Sequence, residues 1–257
     1  MKSRLFDKVK LSALVLLAVA GCARAPSGAV TGRRIIVTLT FDDSVKGLFQ
    51  YFFLIRNAND PSGVNGPVPV IAPPYLNGFA TGINSASAAF TDFVEYSTAQ
   101  RAQPLSGYAL YHVPLGINGN PNNNIFQFRG EPDVAHPPNG GKTISFELRM
   151  ASIQPSPGEA DPNNGQSPQF LQINVVATTT TPIDPQTVDP TKFLDAFGDQ
   201  SAGVFTAFAT IDLRTANTYI SNNIPGDPRY EPSNDTWPHL SDPAIELVQW
   251  TVQVIPQ

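Results

Sequence analysis

The chain has 257 residues, 25 of them proline, with 14% charged and a net charge of −5. An acidic balance with no basic stripe excludes the electrostatic footprint of a nucleic-acid binder, and a single cysteine excludes an internal disulfide framework. A chain of this length can bury roughly 70% of its unfolded surface, so its stability has to come from a packed core.

The first element in chain order is a leader. MKSRLFDKVK sets Lys2, Arg4, Lys8 and Lys10 against Asp7, and the uncharged LSALVLLAVA follows from Leu11 to Ala20. A basic start, an apolar run of about 7–15 residues and small residues at the cut describe a secretory signal peptide. The run is shorter than the roughly 20 residues that a bilayer span requires. Val19, Ala20, Gly21 and Cys22 resemble the lipobox of bacterial lipoproteins. That resemblance implies cleavage before Cys22 and acylation of its thiol and new amino group. Each buried CH₂ contributes about 0.8 kcal/mol, so two or more acyl chains hold a soluble body at a membrane. Ala23 stands where, by the same resemblance, an Asp would retain the protein at the inner membrane. The expected location is therefore the bacterial cell envelope, at the outer membrane of a host that has one. The expected organisation is a signal peptide over 1–21, a lipidated tether over 22–32 and one β domain over 33–257. Removing the first 21 residues leaves 12 basic and 20 acidic residues, a net charge of −8. Such a surface has no attraction of its own for anionic lipid.

Beyond the tether, period-two alternation dominates, the signature of half-buried strands. RIIVTLTF sets Ile35, Val37, Leu39 and Phe41 on one face. FQYFFLIR (49–56) is apolar on both faces, which places it centrally between two packed layers. TDFVEYS (91–97), GYALYHV (107–113) and NIFQFR (124–129) follow. TISFELRM aligns Ile144, Phe146, Leu148 and Met150, and FLQINVVAT covers 170–178. Only TKFLDAFGD (191–199) has helical spacing, with Asp189 as its cap and Gly198 as its stop. VFTAFATIDL aligns Phe205, Ala207, Ala209, Ile211 and Leu213, and IELVQWTVQV aligns Val248, Trp250, Val252 and Val254. About nine strands between Pro/Gly/Asn loops predict an all-β fold, a single large antiparallel β-sandwich, Ig-like or jelly-roll-like, with at most one short helix. PSPGEADPNNGQSP (155–168) is the best domain boundary on composition, yet it reads equally well as a long hairpin loop within one domain.

Candidate ligand residues fall in the loops. Asn57, Asn59 and Asp60 form an oxygen-rich group of the kind that holds Ca²⁺. They also fit an Asx/Pro turn, and a single carboxylate favours that reading over a cation site. Tyr75, Phe79, Tyr230 and Trp237 sit beside Asn and Asp and suggest a platform for stacking sugar rings. The alternative is that they cover the end of a core. Catalytic patterns are sparse: His112, His136 and His239 have no HExxH spacing and no GxSxG elbow occurs. Asp92, Glu95, Glu147 and Asp212 are the strand carboxylates available for glycoside cleavage, which needs two carboxyls about 5–9 Å apart. Each alternates with core positions and reads as facing solvent.

IIVTLTF, YFFLIRNANDPSGVNGPVPVIAPPYLNGFATG, FTDFVEY, YALYHV, FLQINVV and SDPAIELVQWTV together resemble a group of exported bacterial lipoproteins. The resemblance covers most of the chain after Thr31, and its most distinctive piece is the Gly66–Gly82 loop. It implies a single β-rich unit and carries over no activity, cofactor or site residue. The expectation is a membrane-anchored envelope lipoprotein whose β-sandwich is a non-catalytic binding or structural domain, meeting another envelope protein or a glycan. The alternative is an extracytoplasmic glycan hydrolase.

Overall fold

Alternating side chains give each long strand an apolar face, and antiparallel pairing gathers those faces into sheets. The computed structural model describes residues 32–256 except 59–65, 76, 83–89, 100–105, 115–125, 157–158, 160–166, 182–183, 185, 200–203 and 233–241. The strands begin with β1 (Arg34–Phe41), β2 (Gln50–Ala58), β3 (Pro67–Pro69), β4 (Ala80–Gly82), β5 (Asp92–Tyr96), β6 (Tyr108–His112) and β7 (Gln127–Gly130). They continue with β8 (Val134–His136), β9 (Thr143–Arg149), β10 (Phe170–Thr178), β11 (Leu194–Ala196), β12 (Ala209–Asp212), β13 (Asn217–Ile220) and β14 (Leu247–Ile255).

One sheet runs β13-β14-β1-β9-β8, the other β11-β10-β2-β5-β6-β7 with β12 also paired to β10; β3 and β4 pair with each other. The strand ladders are antiparallel, and neither sheet closes on itself. This is the expected all-β sandwich.

Its core lies between the sheets. Ile35, Val37, Leu39 and Phe41 of β1, with Ile144, Phe146 and Leu148 of β9, meet Tyr51, Phe53 and Ile55 of β2 and Leu171, Ile173 and Val175 of β10. Each such side chain stabilises the fold by about 1.5–3 kcal/mol.

A second apolar cluster covers the outer face of the larger sheet. Phe52 and Leu54 of β2, Phe93 of β5 and Tyr111 of β6 pack there under Phe79, Ala80 and Phe90. FQYFFLIR is apolar on both faces for this reason: β2 is central in a sheet covered on both sides.

Three local expectations are corrected. TKFLDAFGD is not helical: Leu194–Ala196 forms β11, with Val176 opposite Ala196. The Asp195 carboxylate accepts the Leu247 amide of β14, a tie between the two sheets that a helix would not aim. Asp189 still caps, but it caps a turn, accepting from the Thr191 amide at 2.8 Å. In the C-terminal strand, the register shifts between Thr40 and Phe41, placing Leu247 opposite Phe41. Leu247 therefore joins the core and Val248 is left half-buried. Residues 204–208 are not strand, and the pairing of VFTAFATIDL with β10 starts at Ala209.

Candidate functional site

The densest group of titratable side chains sits at one end of the inter-sheet space. Asn57 is the last but one residue of β2, Asp92 opens β5 and His112 closes β6, and the ladders set Asp92 opposite both Ile55 and His112. Alternation turns all three toward the core side, at the mouth where the apolar filling stops. There Asn57 meets the carbonyl of Ile153, the last residue of the 3-10 turn Met150–Ile153, and His112 meets Glu159.

His112, 1% exposed, lies between two carboxylates. Its Nδ1 is 2.8 Å from Asp92 Oδ1 and its Nε2 is 2.7 Å from Glu159 Oε2. A neutral imidazole donates from only one nitrogen, so donation from both requires the imidazolium. Burial pulls the His112 pKa down, but the bond and charge of Asp92 and the bond to Glu159 more than reverse this and leave it raised. Burial would raise Glu159, but the His112 bond and the Ser156 amide at 3.0 Å outweigh it and hold the carboxyl below its ordinary range. Asp92, fully buried, is pushed up by desolvation, with the His112 bond pulling the other way. Ser156 Oγ accepts from Arg129 at 2.6 Å and lies 3.5 Å from Gln127 Oε1. With Asp92 on Nδ1 and Glu159 on Nε2, both ring nitrogens of His112 are occupied by side chains. The cluster acts as a clamp that fastens Gln154, Ser156 and Glu159 to the sheet.

The candidates from sequence disperse. Asn57 donates its amide to Ile153 O at 2.9 Å, with Asp92 Oδ2 at 3.4 Å; its nitrogen, not its oxygen, meets the carboxylate. Asn59, Asp60, Trp237 and Cys22 lie outside the described residues. Tyr75 and Phe79 are 2% and 3% exposed, so neither ring offers the solvent-facing surface a sugar platform needs. Phe79 stacks on Phe52 at 4.0 Å between ring centroids, because the second face of the larger sheet needs a cover and the Gly66–Gly82 loop provides one. Tyr230 is half-buried and bridges to Asn222. The strand carboxylates also separate. Asp92 and Glu95 are buried, Glu147 pairs with Arg34 at 3.2 Å, and Asp212 pairs with Arg214 at 2.6 Å. The alternation argument missed the burial of Asp92 and Glu95 because β5 has no solvent-facing side.

Two further features were not anticipated. Lys192 is buried, donates to the Val70 carbonyl and sets its ammonium 4.6 Å above the Tyr75 ring. Burial pulls its pKa down to about 7, with Asp189 opposing. The second is a cleft of about 650 Å³ lined by residues 208–210, 217–219 and 227–229. Its walls include both β12 and β13, an edge strand from each sheet, so it occupies the open seam of the sandwich. Phe208 and Tyr219 supply rings. Arg229 donates through Nε and Nη2 to Asp227, each bond 3.1 Å long, and holds that carboxyl well below its usual range. Tyr219 Oη accepts the Asp212 amide at 2.9 Å, bracing one wall against the other. No protein-family model, curated protein or solved structure matches the chain.

Proposed function

We propose that the chain is an exported lipoprotein, acylated at Cys22, whose β-sandwich is a non-catalytic module that binds a partner in the cell envelope through the seam cleft. The anchoring part rests on the basic start, the apolar run and the LAVAGC stretch. The binding part rests on one observation: in the seam, two aromatic rings, an Asp–Arg pair and two strand edges meet at one cleft. Sites that combine apolar walls with a few convergent polar groups are the usual form of a binding site. The charged cluster at His112, by contrast, satisfies itself internally.

Intact-mass measurement of the protein from its native envelope tests the anchor. The expected mature chain starts at Cys22 and carries acyl chains; an intact Met1 or a free thiol at position 22 would overturn it. Retention of envelope components on the immobilised protein, compared with Phe208→Ala and Arg229→Ala, tests the cleft. Retention should fall in both variants, and equal retention would rule the cleft out.

A further inference from the structure

The hydrogen-bonding registers show which backbone groups face the seam. Ser221 donates to the Trp250 carbonyl at 3.0 Å, one step beyond the Ile220–Thr251 pair of the β13–β14 ladder. Bonded and non-bonded pairs alternate along an antiparallel ladder. Tyr219 and Asn217 therefore turn their backbone groups to β14, and Thr218 and Ile220 turn theirs outward. The Thr218 amide is covered by Asn217 Oδ1 at 2.8 Å. Among the described residues, no group bonds the Thr218 carbonyl or the amide and carbonyl of Ile220.

The same reasoning applies across the cleft. Leu213 donates to Gln169 O at 2.9 Å, so Ala209 and Ile211 face β10 while Thr210 and Asp212 face the seam. The Asp212 amide is already taken by Tyr219 Oη.

The chain itself shows that the β13 edge can take another strand. Just past Ile220, Asn222 donates to Arg229 O at 2.9 Å and accepts from the Glu231 amide at 2.8 Å, forming a parallel bridge with Tyr230. Behind this bridge the segment turns on itself: the Arg229 amide bonds Asp227 Oδ1 at 2.8 Å and the Tyr230 amide bonds the Asp227 carbonyl at 2.9 Å, so the groups that would carry the pairing back along the edge are taken. Among the described residues nothing pairs with the edge beyond it, and Ile220 there is 44% exposed.

We propose that this stretch takes an extended peptide segment of a partner protein, added as a sixth strand at the β13 edge. The proposal deepens the binding-module reading of the same cleft and rests on it. The incoming backbone bonds Ile220 and the Thr218 carbonyl, which is how strand addition supplies affinity, while pockets for alternate side chains supply specificity. One apolar side chain packs against Phe208, Tyr219 and Pro228, and a charged neighbour meets the Asp227–Arg229 pair. A saccharide would use the rings and the ion pair but not the strand edge, which separates the two ligands experimentally.

The test selects phage-displayed octapeptides against the full-length protein and titrates the best one, as a synthetic peptide, against three proteins: wild type, Phe208→Ala and Ile220→Pro. Proline is tolerated where an edge-strand N–H faces solvent, and an unchanged melting temperature checks that Ile220→Pro folds. The expected result is binding that slows hydrogen exchange at the Ile220 amide of the wild type and weakens about tenfold or more in Ile220→Pro, the loss of one or two backbone bonds. The exchange measurement needs no variant, so it decides even where Ile220→Pro is unstable. Failure to select any peptide, equal affinity for Ile220→Pro, or unaltered exchange at Ile220 would overturn the proposal. Glycan-array binding that depends on Phe208 but not on Ile220 would overturn strand addition and leave the binding module standing. If Phe208→Ala and Arg229→Ala alter no binding of peptide, glycan or envelope partner, both readings fall.

Discussion

Replacing Lys192 by Met removes a buried amine while keeping most of its volume. In the fold this amine titrates near pH 7, whereas an unfolded lysine titrates near 10.4. Between those limits the unfolded chain binds one more proton at this site than the folded one, so stability rises with pH. From pH 6.5 to 9.5 the gap corresponds to about 3 kcal/mol, at about 1.4 kcal/mol per unit. Urea unfolding of both proteins at the two pH values measures it. Tyr51 and Tyr108 are pushed up by burial, and His112 titrates too, but all three are common to both proteins and cancel in the difference. Lys192→Met should be the relatively more stable protein at pH 6.5, with that advantage shrinking or reversing by pH 9.5. A wild-type-minus-variant difference that stays flat with pH would show that the ammonium over Tyr75 is not desolvated as described.

His112→Ala should cost about 3–5 kcal/mol, because it leaves buried carboxylates without their shared cation; chemical denaturation at pH 6 reads this directly. The His112 pKa is raised in the fold, so its contribution is complete below the unfolded value near 6.5 and is lost as pH rises through the folded value. A pH-dependent loss above 6.5 that persists in His112→Ala would contradict the clamp. On the acid side, Glu159 is depressed, and its share disappears as pH falls below the ordinary glutamate range. Phe79→Ala should cost about 3–5 kcal/mol as a buried-ring deletion and leave ligand binding unchanged, as melting and titration of one sample would show.

Strands long enough to show several alternations were legible, as β1, β9, β10 and most of β14 demonstrate. β3, β4 and β11 have three residues each, too few to display any period. For TKFLDAFGD, Phe193, Leu194 and Phe197 mimic a helical stripe because two different covers bury them: Phe197 packs into the inter-sheet core, Leu194 into the outer cluster. The apolar character of both faces of FQYFFLIR was the available signal that its neighbour β5 also lacks a wet side, and Asp92 and Glu95 follow from it. Asp92, His112 and Glu159 lie 20 and 47 positions apart and form no motif. Nor does the seam cleft, whose walls come from two sheets and a turn and exist only once the registers are set.

The position of β1 has a consequence for the order of assembly. Its partners are Thr143–Arg149 on one side and Leu247–Ile255 on the other, so the earliest strand is flanked only when the last has been made. Pairings so remote in sequence form slowly. During synthesis β1 would therefore wait without either neighbour, and the smaller sheet would close only after Leu247–Ile255 had emerged.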